Sequence, residues 1–81
     1  MTSSNELGPN DLEAAGEVLY GERWQSDLAR ALGISDPRRI RAFMHGERSI
    51  PPGIWDDIAQ LLRKRGQAAI ALADRLDGKH N

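Results

Sequence analysis

The chain contains no cysteine, which excludes a disulfide framework and a thiolate metal site. Its two histidines, His45 and His80, stand far apart with no third ligand nearby, so no zinc site and no cofactor is expected. No apolar run approaches the roughly 20 residues that a membrane span needs. The opening MTSSNELGPND lacks the basic-then-apolar order of a secretory signal. These absences predict a cytoplasmic protein without a membrane partner. Enzymatic signatures are missing too: there is no glycine-rich phosphate loop and no serine or cysteine nucleophile beside a histidine. Asp56 and Asp57 are neighbours on an expected helix and face different directions. The sequence predicts neither an enzyme nor a small-molecule site.

What is present is helical. No stretch alternates apolar and polar residues with period two, and no repeat or low-complexity tract occurs. Residues 1–8 read as a disordered tail of small and polar residues. Pro9 opens a first helix over about 9–20, with Leu12, Ala15, Gly16 and Leu19 on one face, and Gly21 ends it. Trp24 is expected to pack beneath a helix over about 25–32. A further helix covers about 37–45, ended by Gly46. After the Ile50-Pro51-Pro52 turn, Ile54, Ile58, Leu61 and Leu62 take the spacing of a buried stripe in a helix over about 52–65. Gly66 is expected to separate a last helix over about 67–76, and 77–81 to form a flexible tail. The fold class is all-α, a single compact domain of four to five helices over 9–76. A chain of 81 residues buries only about 60% of its unfolded surface, so pairing with a second copy would add stability.

The densest information lies in QSDLARALGISDPRRIRAFMHG, residues 25–46. Leu28, Ala29 and Leu32 share a helical face, Gly33 suits a left-handed helix end, and Ile34 can plug the corner. Asp36 and Pro37 restart a helix, the carboxylate as cap and the proline at the first position. Ile40, Phe43 and Met44 form its buried face. Arg38, Ala42 and His45 then point outward, with Arg39 and Arg41 on the flanks.

This segment resembles the helix-turn-helix of the phage-repressor and Cro-like (xenobiotic-response-element) family. The matching residues are Gln25, Ala29 four positions on, Gly33 four beyond that, then Ile40 and Phe43. The following HGERSIPPGIWDDIAQLLRKRG is similar to small bacterial and mobile-element members, and the resemblance covers roughly residues 12–66. One spacing departs from the family: Ile40 lies seven residues after Gly33 where six is usual, which predicts a longer turn and a tilted second helix. The resemblance implies a lambda-repressor-like bundle that binds double-stranded DNA as a homodimer and regulates transcription as a repressor.

Charge distribution supports and opposes that implication. The formal net charge is −1, whereas nucleic-acid binders are usually basic. Residues 1–22 hold five acids and no base; residues 23–48 hold six arginines against Asp27, Asp36 and Glu47, a local +3. Arg38, Arg39 and Arg41 at a helix start, where the dipole is already positive, favour an anionic partner. The alternative is local pairing with Asp36 or Glu47. The candidate base-reading residues are Arg38, Arg39, Arg41, Ala42 and His45, though for His45 an idle surface residue is the default reading. Gln25 and Ser26, at the start of the first motif helix, and Arg48, in the following loop, are the phosphate candidates. For Gln25 and Ser26 the plainer account is helix capping, and for Arg48 a solvated loop.

Arg63, Lys64 and Arg65 complement a negative helix end, so structure alone accounts for them. Trp55 is either core or a surface anchor. Residues 54–76 carry more apolar side chains than one small core uses, and Ile70 and Leu72 lie about 160° apart around the helix. One such face is expected to pack inward and the other on a second subunit. The rival reading is a protein-binding helix-turn-helix module, an antitoxin or anti-activator, which the acidic first helix favours.

Overall fold

Pro9 begins α1 (Pro9–Tyr20), where its missing N–H costs nothing. A computed structural model of the chain describes residues 7–80; residues 1–6 of the expected tail lie outside the described residues. Gly8 belongs to the helix start rather than to a tail. Its amide donates to the Asp11 carboxylate at 2.9 Å, and its carbonyl accepts from the Asp11 and Leu12 amides. The inward face of α1 is Leu12, Ala15, Gly16 and Leu19, as the spacing predicts.

Trp24 does not sit beneath the next helix; it is the first residue of α2 (Trp24–Ala31). Its side chain is 3% exposed. The indole lies so close to Gly16 of α1 that a Cβ there would fall within the ring's own space. This contact seats α2 on α1. The end of α2 is closed by a pair of backbone bonds, from the Gly33 amide to the Arg30 carbonyl and from the Ile34 amide to the Ala29 carbonyl. That pattern requires a left-handed residue between them, and Gly33 has φ +75°. Six residues, 32–37, separate α2 from α3 (Arg38–Met44). α3 ends the same way, with Gly46 at φ +75° and bonds from Gly46 to Phe43 and from Glu47 to Ala42.

Four helices and no strand occur among the described residues, and the fold is all-α. Leu12, Leu19, Trp24, Leu28, Ala29, Ile40, Phe43 and Ile58 are the buried centre. Ile34, Met44, Ile54, Leu61, Leu62 and the half-buried Trp55 pack around it. Trp55 thus contributes to the core margin.

The C-terminal half departs from expectation. Gly66 separates nothing: α4 runs unbroken over Pro52–His80, through 77–80 of the expected flexible tail, whose last residue lies outside the described residues. An interior glycine costs only about 1 kcal/mol against alanine, and here Arg63–Arg65 and Ala68–Ala73 surround it with good helix formers. A helix of 29 residues is about 43 Å long, and it sets the molecule's longest extent of 52 Å. Neither expected apolar face of 67–76 packs inward. Ile70, Leu72 and Leu76 are 64%, 56% and 58% exposed. No helix among the described residues is long and apolar enough to cross a membrane.

Two glycine substitutions therefore have opposite expected signs in thermal melts followed by circular dichroism. Gly16→Ala forces the indole off α1 and lowers stability by about 1–3 kcal/mol. Gly66→Ala meets nothing within 4 Å and raises stability by about 0.5–1 kcal/mol through helix propensity. Gly33→Val, at a positive φ, lowers it. A Gly16→Ala melt equal to that of the unsubstituted chain would mean that Trp24 does not seat α2.

Candidate nucleic-acid interface

The start of α3 is made by Asp36. Its carboxylate accepts the Arg38 amide at 3.0 Å, and the Asp36 and Pro37 carbonyls accept the Arg39 and Ile40 amides. Asp36 is therefore the functional cap and Pro37 the first turn residue, in line with the sequence reading. With Ile40 and Phe43 buried and Met44 packed against the core, Arg38, Arg39 and Arg41 face solvent and Ala42 is half-buried.

The same carboxylate holds a guanidinium. Arg38 donates through Nε to Asp36 at 3.2 Å, and its NH2 lies 3.1 Å from Oδ2. The local pairing weighed as an alternative for the arginine cluster thus applies to Arg38. Arg30 is likewise paired with Asp27 at 3.1 Å. Arg39, Arg41 and Arg48 have no ion-pair partner among the described residues. Both pairs are largely exposed, so they hold geometry weakly and can be exchanged for a stronger anion.

Arg38, Arg39, Ala42 and Arg48 come together with Ile34, Ser35 and Asp36 around one open groove of about 430 Å³. A second groove, of about 450 Å³, is lined by Ser26, Ala29, Arg30, Gly33, Pro37 and again Ile34 and Ser35. The turn of residues 32–37, through Ile34 and Ser35, borders both. Four expected site residues, Arg38, Arg39, Ala42 and Arg48, are thereby joined, and Ser26 opens onto the adjoining groove. Arg41 and His45 are exposed and lie outside the first groove's lining.

Gln25 and Ser26 are not caps. The helix starts one residue earlier, the cap position is Arg23, and no side chain bonds to the free amides there. Gln25 is half-buried and Ser26 exposed. Ser35 was missed in the sequence reading. Its signal was its place between the Gly33 corner and the Asp36 cap.

The acids of the first helix, Asp11, Glu13 and Glu17, occupy its exposed face, away from either groove's lining. Arg38, Arg39 and Arg41 against Asp36 give the turn and α3 a net +2, on a surface separate from the acidic face of α1. Comparison of the chain with models of known families, with characterised proteins and with solved structures finds no match.

Asp36 also confers a pH response. The Arg38 side-chain hydrogen bond, and then the Arg38 amide, hold its carboxyl below the ordinary 3.8. A lowered folded-state value adds stability that is complete above pH 3.8 and is lost as pH falls through the folded value. The Arg38 and Arg39 amide resonances should therefore titrate with a midpoint below 3.8, and Asp36→Asn should abolish that titration. A midpoint at or above 3.8 would contradict the cap.

Proposed function

We propose that this protein is a sequence-specific double-stranded DNA-binding regulator of transcription, a repressor, that enters the major groove with α3. The observation that carries this reading is the groove in which Arg38, Arg39 and Arg48 converge around the half-buried Ala42. Arginine's fork matches guanine O6 and N7 and serves equally for phosphate. Arg38, Arg39, Arg41, Ala42 and His45 are the proposed base-facing set. Arg48, Ser26 and the uncapped amides of Gln25 and Ser26 serve the flanking phosphates. A small residue at Ala42 lets the backbone of α3 approach base edges closely. Two copies in a homodimer would set two such helices about 34 Å apart on one side of the duplex.

Local field, not total charge, governs approach to a phosphate backbone, so the net −1 does not oppose the reading. A protein-binding regulator is the competing account. It draws on the exposed acidic face of α1, where Val18 is also 70% exposed. Binding to random duplex DNA at varied salt separates the two. A DNA binder weakens linearly in log–log form, with a slope of about −0.9 per neutralised phosphate; a protein-binding module shows no such binding.

On a duplex site selected from a random pool, Arg39→Ala and Arg41→Ala should each weaken binding by about tenfold to a hundredfold. Arg48→Ala should weaken all sequences alike and reduce the salt slope by about one. Unsubstituted affinity for all three variants in a fluorescence anisotropy assay would exclude α3 as the reader.

A further inference from the structure

One carboxylate at the start of α3 holds two parts of the same residue. Asp36 Oδ1 accepts the Arg38 amide at 3.0 Å, which ties the acid to the backbone. Its Oδ2 accepts Arg38 Nε at 3.2 Å and lies 3.1 Å from Nη2. Asp36 thereby occupies the side edge of the guanidinium, Nε with Nη2. The end edge, Nη1 with the outer hydrogen of Nη2, has no acceptor among the described residues. The Arg38 side chain is 78% exposed. It opens onto the groove it shares with Ala42, one helical turn further on.

We infer that Asp36 is a positioning residue that holds Arg38 with its end edge free to read the O6 and N7 of a guanine. This role rests on the DNA-binding reading and deepens it by assigning one base to one side chain. Three physical points select a base, and this base. First, the Arg38–Asp36 unit is formally neutral. Because the Arg38 amide also binds the carboxylate, the acid stays in the groove even when the arginine side chain swings away, and it repels a phosphate there. A neutral base edge meets no such repulsion.

Second, guanine is the one base whose major-groove edge sets two acceptors side by side. Adenine pairs an acceptor with a donor, thymine an acceptor with a methyl group, and cytosine offers a donor. Two parallel N–H groups match only guanine. Third, a free arginine samples many rotamers, and fixing it costs entropy on binding. Asp36 restricts that sampling before the duplex arrives. In water an exposed pair of this kind is weak; a base laid over the groove excludes that water and strengthens it. The half-buried Ala42 has no side chain long enough to contest the space.

A duplex selected from a random pool by the intact chain supplies the probe, read by fluorescence anisotropy at varied salt. One guanine of that site should depend on Arg38. Replacing its pair by adenine–thymine should weaken the intact chain about tenfold to a hundredfold, and 7-deazaguanine, which lacks the N7 acceptor, should weaken it in the same direction. Arg38→Lys keeps the charge and lacks the fork, so it should bind both sites within a few-fold of each other. Asp36→Asn keeps a capping side chain and removes the charge. It should lose most of the guanine preference, while its binding to random duplex strengthens and gains about one unit of salt slope as Arg38 becomes free for phosphate. A purely structural cap would move specific and random binding together. In an Arg38→Ala background, Asp36→Asn should change neither the preference nor the slope. Retained guanine preference in Asp36→Asn, with tighter binding to every sequence, would overturn the inference while the DNA reading stands. A selected site with no position sensitive to Arg38 would do the same. Failure of the intact chain to select any site would overturn both.

Discussion

The contact of the Trp24 indole with Gly16 governs everything downstream of it. α2 begins at Trp24, so the position of that ring on α1 sets where α2 lies. The Gly33 corner then transmits that position to the turn, and Asp36 sets the direction of α3. Each arginine on the turn and α3 inherits its place from this chain of local decisions. None of the steps is strong alone. A small core with nine buried apolar residues among the described residues leaves a narrow margin of stability, so a single overfilled position can undo the arrangement.

Electrostatics explains why the outward face is unusual. Three arginines within four residues at a helix start work against the dipole and against one another. Asp36 relieves part of this by capping the helix and pairing with Arg38 together. The remaining unpaired cations, Arg39, Arg41 and Arg48, are left to solvent. Under the proposed reading an anionic surface balances this set.

Much of the architecture was legible in the sequence because its signals are local. Pro9 with its apolar spacing delimits α1, Asp36-Pro37 begins α3, and Gly33 and Gly46 end helices by the one backbone conformation that glycine adopts freely. The convergence of Arg38, Arg39, Ala42 and Arg48 could be anticipated from helical phase and from a loop that returns beside α3. What escaped the sequence depended on tertiary balance. Gly66 looks like a break, yet its flanking residues carry the helix through it. The leucines of 67–76 look like core, yet Leu72 and Leu76 are more than half exposed among the described residues. Trp24 looked like a residue below α2 because hydrophobicity reports burial and not which element supplies it. Arg38 combines two readings, since its pairing to Asp36 and its place on the groove coexist.

The central claim is that the α3 face and its turn constitute the surface that meets DNA. Amide resonances followed during titration with a selected duplex test it most directly, because they report every part of the chain at once. The account predicts the largest shifts at residues 25–26 and 35–48, with the arm of α4 little changed. Shifts concentrated on the acidic face of α1, or none at low salt with excess duplex, would contradict it.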